Sequence, residues 1–256
     1  MARCKGIHRH PTFKLGKAPA RRDPRTLKFA ALLKARISVP KQYDFDQQHP
    51  GVPTPMFAND QYGDCVMAGR AHQTLRFELA EQKKVIAISD EDVTREYFQE
   101  TGGADSGLVV LDSLGLWRTN GWMVGTANYK IQAFSELNLA NHNEIKQAIL
   151  LDIGVGLGLG LPVSAERQFE TGNPWDVVRG PNGAVNSWGG HYVFVSGYTP
   201  LGPVCVTWGR KQQMTWKFFD KYCDEAYAII DAVDSTKINK NIDAVKIREF
   251  IDELSS

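Results

Sequence analysis

Apolar residues recur at helical spacing through the first half of the chain and alternate or run continuously through the second. Residues 1–23 carry Pro11, Pro19 and many charges with little periodicity, and read as an extended arm. Asp23-Pro24 then supplies a cap and a first helical position, and Leu27, Ala30, Ala31, Leu33 and Ile37 predict a helix ended by Pro40. Pro50, Pro53 and Pro55 make the stretch to about residue 58 a loop. A long helix is expected from Asp64 or Cys65 to about residue 84, with Val66, Ala68, Ala71, Leu75, Leu79 and Ala80 on it. Ser89, followed by Asp90, Glu91 and Asp92, starts another that Gly102-Gly103 ends, and 108–118 predict a third, stopped near Asn120-Gly121. Beyond that point, 129–137 alternate as a strand, 144–151 suit a short helix, and 153–161 form a Gly-rich strand. Residues 192–198 and 203–208 read as a hairpin around Pro200-Leu201-Gly202. A helix at 215–224, a closing strand at 226–230 and an amphipathic helix at 238–254 follow.

Helices first and strands second argue for an α+β fold, with a helical N-terminal lobe, a β-rich C-terminal lobe and a cleft between them. The division expected is a basic arm and short helix at 1–45, a helical lobe at 46–140, a β-rich lobe at 141–235 and a helical tail at 236–256.

At 256 residues and 43% hydrophobic, the chain has room for one large domain or two lobes sharing a core. The apolar run at 153–163 is too short and Gly-rich to span a bilayer, and the basic start at 1–10 has no apolar core, unlike a secretory signal. The expected location is therefore the cytoplasm, or a particle assembled there. Cys4, Cys65, Cys205 and Cys223 are widely spaced and form no CxxC pair, which argues against a metal site or a disulfide framework. One thiol is free to be a nucleophile. Net charge is +1, but residues 1–41 hold twelve Lys or Arg and one acid, whereas the rest hold eighteen bases and twenty-eight acids. The arm can bind the acidic body, an acidic partner or assembly surface, or act as a propeptide. Nucleic acid is a weaker partner, because no aromatic residues interleave the charges.

Two segments carry chemistry. In the loop 59–65, Asn-Asp-Gln-Tyr-Gly-Asp-Cys, a polar stretch delivers Cys65 to a helix start. Free N–H groups there favour thiolate and can hold an oxyanion. An ordinary buried helical cysteine has the same local pattern. In 189–198, His191 follows a Gly pair and opens an apolar strand; the glycines admit another chain closely, and the strand fixes the imidazole. His72, seven residues after Cys65, lies about 10 Å further along the helix and reads as structural. The GVGLGLG run at 154–160 lacks the Lys and Ser/Thr of a phosphate loop, so close packing of a strand is expected.

Together these segments resemble the papain-like cysteine peptidases, in which a helix-start cysteine precedes a GGH-type strand by more than a hundred residues. The separation here is 126. Thr207-Trp208-Gly209 is similar to the family's segment whose Trp shields the histidine. The loop at 59–65, Leu116-Trp117-Arg118, Met214-Thr215-Trp216 and 224–227 also resemble a less-studied bacterial and phage branch. The resemblance implies Cys65 as nucleophile and His191 as base. Asn59 or Gln61 are the oxyanion candidates, and Trp208 and Thr207 the shielding and orienting ones; no cofactor is implied. The family's orienting Asn aligns with Val206, which has no side-chain hydrogen bond to offer; Thr207, Asn186 and Asp176 are the possible substitutes. The expected function is a thiol hydrolase acting on peptide or amide bonds of a peptide or protein substrate. Alternatives are a catalytically decayed module with a structural or binding role, for example in a virion, and a Cys–His peptidoglycan amidase.

Overall fold

The structure, a computed structural model, describes residues 13–35, 37–151, 154–231 and 240–255, the last six as backbone. The start of the arm with Cys4, and the part of the tail at 232–239, lie outside the described residues. After the arm come α1 (Phe29–Leu32), β1 (Tyr43–Asp44), α2 (Phe45–Gln48), α3 (Cys65–Gln82), α4 (Asp90–Glu100) and α5 (Val110–Thr119). A small hairpin, β2 (Trp122–Val124) with β3 (Ala127–Tyr129), leads to β4 (Ile131–Glu136), α6 (His142–Leu150), β5 (Gly154–Leu161) and α7 (Val163–Glu170). The remainder is β6 (Gly189–Tyr198), β7 (Pro203–Thr207), β8 (Arg210–Gln213), α8 (Trp216–Tyr222), β9 (Cys223–Asp231) and α9 (Ala244–Ser255).

A seven-stranded antiparallel sheet in the order β4-β9-β5-β6-β7-β8 organises the second half. β1 pairs with the end of β6, matching Tyr43 with Tyr198 and Asp44 with Gly197. The period of two along each strand sends side chains to two cores. On β9, Ala226, Ala228 and Ile230 face a core shared with α6, α7, α8 and α9, whereas Tyr227 and Ile229 face the core of α3, α4 and α5. On β5 the division is sharper. Val155, Leu157, Leu159 and Leu161 enter the first core, and the intervening positions are all glycine.

That glycine face lets large groups approach. A Cβ at Gly154 would lie 1.6 Å from Gln73 Nε2 on α3, and one at Gly156 would lie 1.8 Å from the Tyr192 hydroxyl. From the other side, a Cβ at Gly69 of α3 would meet the Tyr192 ring at 2.5 Å. The Tyr192 ring is thus wedged between α3 and the sheet, which fixes the helix start relative to β6. α3 is buried on every face from Cys65 to Glu78. Its two buried arginines are paired: Arg76 bonds Asp46 through Nε and Nη2, each at 2.9 Å, and Arg70 bonds Glu100 at 2.7 Å and the Ser113 side chain and carbonyl.

The helix expected from Asp23-Pro24 to Pro40 is reduced to one turn. Asp23 closes a turn with the Thr26 N–H and binds Arg25 instead of capping. Leu27 accepts from Glu136 N–H, and Lys28 pairs with the Glu136 side chain, so sheet-edge pairing overrides the helical stripe. β4, in the stretch before residue 140, is hydrogen-bonded to β9 in the main sheet. Ser89 closes a capping box with Asp92 at the start of α4. No helix among the described residues is long and apolar enough to cross a membrane.

Candidate active site

The loop before α3 turns sharply through Phe57 and Ala58, both at positive φ (55° and 60°). Asn59 then uses both amide hydrogens internally, donating from Nδ2 to the Tyr62 carbonyl at 3.1 Å and to Asp64 Oδ1 at 2.9 Å. Gly63 N–H donates to Asp105 Oδ1 at 2.9 Å. These bonds hold Cys65 at the first position of α3. Its sulfur accepts a hydrogen bond from the Tyr192 N–H, 3.4 Å away, so the thiol lies against the residue that follows His191. The Gly16 N–H also points at the sulfur.

Asp64 is fully buried beside the thiol. Desolvation pushes its carboxyl up to about 8, against the opposing Asn59 bond, so it is a neutral acid at pH 7. Burial likewise pushes the Cys65 thiol up to about 12, although the Tyr192 and Gly16 amides pull it down. The expectation of a helix-start thiolate is therefore corrected for this closed state. Helix N–H groups favour the anion, but complete exclusion of water outweighs them.

His191 lies on β6, 0% exposed. Its Nε2 shares a 2.7 Å hydrogen bond with Thr207 Oγ1 on β7. Its ring stacks on Trp208, with centroids 4.1 Å apart and planes 17° apart. Trp208 reaches that position from a positive φ of 43°, and Trp175, Trp188 and Phe169 pack around it. Nδ1 has no hydrogen-bond partner among the described residues. Burial drops the imidazole to about 3, so it is neutral.

The cleft between these walls is filled by the chain's own arm. Lys14 N–H donates to the Asn59 carbonyl at 3.1 Å, and the Lys14 carbonyl accepts from Trp208 Nε1 at 3.2 Å. Phe13 packs against Trp208 and Phe169. Gly16 passes so close that a Cβ on it would sit 1.5 Å from the Gly63 carbonyl oxygen. Gly16 O accepts from Leu108 N–H at 2.8 Å, Ala18 N–H donates to Leu108 O at 2.9 Å, and Lys17 N–H donates to Gly190 O at 3.1 Å. A Cβ at Gly190 would meet the Lys17 carbonyl at 2.1 Å, so the Gly pair before His191 admits a second backbone, and that backbone is the arm. Salt bridges Lys17–Asp224, Lys17–Glu225, Arg21–Asp112 and Lys28–Glu136 carry it along the acidic body.

Of the residues singled out in the sequence, His191, Thr207 and Trp208 touch one another, and the Cys65 sulfur meets the backbone of Tyr192, the residue after His191. Asn59 is adjacent but has no free side-chain N–H, and Gln61 is exposed on the loop. Val206 is buried on β7, and Asp176 is bonded to Thr215 instead of the histidine. His72 is buried against Phe57, with Arg76 donating to its carbonyl. Gly16, Lys17, Gly158 and Glu225 were not legible individually. The opposite charges of arm and body, the glycine run at 154–160 and the 224–227 stretch marked their neighbourhoods.

No protein-family model matches the sequence, and no curated protein sequence matches it significantly. Solved structures do. Xylellain, a cysteine protease from Xylella fastidiosa, superposes with a TM-score of 0.66 at 14% identity, covering 89% of this chain and 100% of its own. ProCathepsin B S9 from Trypanosoma congolense gives 0.60 at 13% identity, covering 86% and 87%. The Carica candamarcensis cysteine protease CMS1MS2 in complex with E-64 gives 0.55 at 13%, covering 75% and 99%. The fold is that of the papain-like cysteine proteases, an α+β architecture.

Proposed function

We propose that the chain is a papain-like cysteine peptidase held closed by residues 13–18. The observation that carries this reading is the His191 environment: Nε2 held by Thr207, the ring clamped on Trp208, and Nδ1 without a partner among the described residues, on the residue before the Tyr192 whose N–H meets the Cys65 sulfur. Once the arm leaves and water enters, the desolvation that raises the thiol is relieved. Nδ1 takes the Cys65 proton while Sγ attacks the substrate carbonyl. The Cys65 backbone N–H, which has no intrahelical acceptor, donates to the oxyanion. His191 returns the proton to the leaving amine, and water then hydrolyses the thioester. Thr207 takes the place of an orienting carboxamide and holds the ring by a single hydroxyl.

A second reading is a papain-like module kept for binding or structure. It is favoured by Asn59, whose side-chain donors are both engaged inside the loop, leaving no carboxamide for the oxyanion. One experiment separates the two. Full-length Gly16→Val, which cannot seat its arm against Gly63, is expected to hydrolyse a fluorogenic protein substrate, and Gly16→Val with Cys65→Ala is expected to be inert. Absence of Cys65-dependent hydrolysis in the folded Gly16→Val variant supports the binding module instead.

A further inference from the structure

Lys17 is the one residue of the cleft-filling segment whose long side chain is buried in an acidic recess: its side chain is 1% exposed, and Nζ lies 3.0 Å from Asp224 Oδ2 and 3.1 Å from Glu225 Oε1. The recess has a glycine floor. A Cβ at Gly158 on β5 would lie 2.2 Å from Lys17 Cε, so any other residue there would occupy the space the side chain uses. Glu225 is held in place from behind, since the Tyr227 hydroxyl donates to Oε2 at 3.2 Å and leaves Oε1 for the ammonium. Asp224 forms the open side, with its side chain 44% exposed, whereas that of Glu225 is 5% exposed. The Lys17 backbone is positioned by Gly190, next to His191, and the neighbouring Gly16 N–H meets the Cys65 sulfur. The residue that fills the recess thus follows directly, along the arm, the one that meets the candidate nucleophile.

We propose that this recess, built from Gly158, Asp224 and Glu225, selects peptide substrates presenting a lysine or arginine side chain within two residues of the bond attacked, and that Lys17 occupies it as a surrogate. The proposal rests on the peptidase reading, because the arm must leave before any peptide reaches Cys65. The carboxylates remain on β9 when it goes. A carboxylate largely shielded from water favours a new cation and repels an acidic side chain. A leucine fits the space but leaves both charges unpaired. Glycine at 158 provides depth for a four-carbon or guanidinium side chain, which a short polar residue would leave empty.

The test uses full-length Lys17→Glu, which sets a carboxylate against the pair and expels the arm, with full-length Gly16→Val as an independent way of opening the cleft. Peptidyl vinyl sulfones carrying Arg, Lys, Leu or Glu at either of the two positions before the electrophile are reacted with each variant, and Cys65 modification is timed by mass spectrometry. In both backgrounds the Arg and Lys probes are expected to react roughly tenfold or more faster than the Leu probe, with Glu slowest. Adding Glu225→Gln is expected to bring the Arg-to-Leu ratio close to one. Asp224→Asn, at a more exposed site, is expected to lower the ratio by a smaller factor and serves if Glu225→Gln fails to fold. Equal rates for all probes, or a cationic preference unchanged by both substitutions, overturns the recess as the selector. If no peptidyl probe modifies Cys65 while iodoacetamide does, the peptidase reading falls and takes this proposal with it.

Discussion

On one wall of the cleft His191 is bonded through Nε2 and stacked on Trp208, which is itself packed by aromatic side chains from α7 and the 175–188 region. On the other wall Cys65 lies beneath the arm, its thiol pushed up to about 12, beside a neutral buried Asp64 and an Asn59 whose amide hydrogens are engaged. The histidine wall takes its Thr207 hydroxyl from β7 and its Trp208 ring from the residue after it, and the arm adds a Lys14 carbonyl and the Phe13 ring to Trp208. The thiol wall has a state that depends on what covers it. On the proposed peptidase reading, burial holds both groups neutral, the thiol pushed up to about 12 and the imidazole down to about 3.

The largest effect that sharpens this contrast is expected at the base. In the arm-displaced Gly16→Val background, His191→Ala should lower peptide turnover by about 10³-fold, the usual scale for losing a general acid–base group; a loss below tenfold, measured by steady-state hydrolysis, would break the assignment. Next comes the wedge between the walls. Gly69→Ala forces a Cβ to within 2.5 Å of the Tyr192 ring and is expected to destabilise the fold by about 1–3 kcal/mol in urea unfolding. A smaller effect is expected at Thr207. Thr207→Val should reduce kcat by about tenfold with little change in KM, and Thr207→Ser, which keeps the hydroxyl, should restore it. Equal loss in both variants would mean that the residue only packs.

A pH dependence is expected on the thiol wall as well. Asp64 binds its proton up to about 8 when folded, whereas an unfolded aspartate releases it near pH 4. Between those values the folded state holds the extra proton, so the stability Asp64 contributes is present below pH 4 and lost as pH rises through about 8. Asp64→Asn, a neutral isostere, removes this dependence. The urea midpoint of the wild type relative to the variant is therefore expected to fall from pH 5 to pH 8. A constant difference would show that Asp64 is ionised in the folded protein.

The two walls also differed in how far they could be read from sequence. His191 and Trp208 stood out because a Gly pair, a histidine and an apolar strand are contiguous, and the Thr-Trp-Gly follows within twenty residues. Cys65 stood out for the same local reason, as a polar loop running into a helix. Its electrostatic state did not, because that depends on Gly16, which is 49 residues away and meets it only through tertiary folding. The strand β8, Arg210–Gln213, escaped notice because it is a polar edge strand without alternation, and α7 because it buries only Ala165 and Phe169. The helix expected at 24–39 fell to pairing with Glu136, a contact 108 residues away from Lys28. Local chemistry was legible; pairings across the chain were not.

The most direct measurement is the rate at which iodoacetamide modifies Cys65 at neutral pH in the folded full-length protein, compared with Gly16→Val under the same conditions. If the arm suppresses the nucleophile, the wild type reacts slowly and the variant roughly tenfold or more faster. Equal rates in the two folded proteins would contradict the account, because the thiol would then owe its state to something other than the segment lying over it.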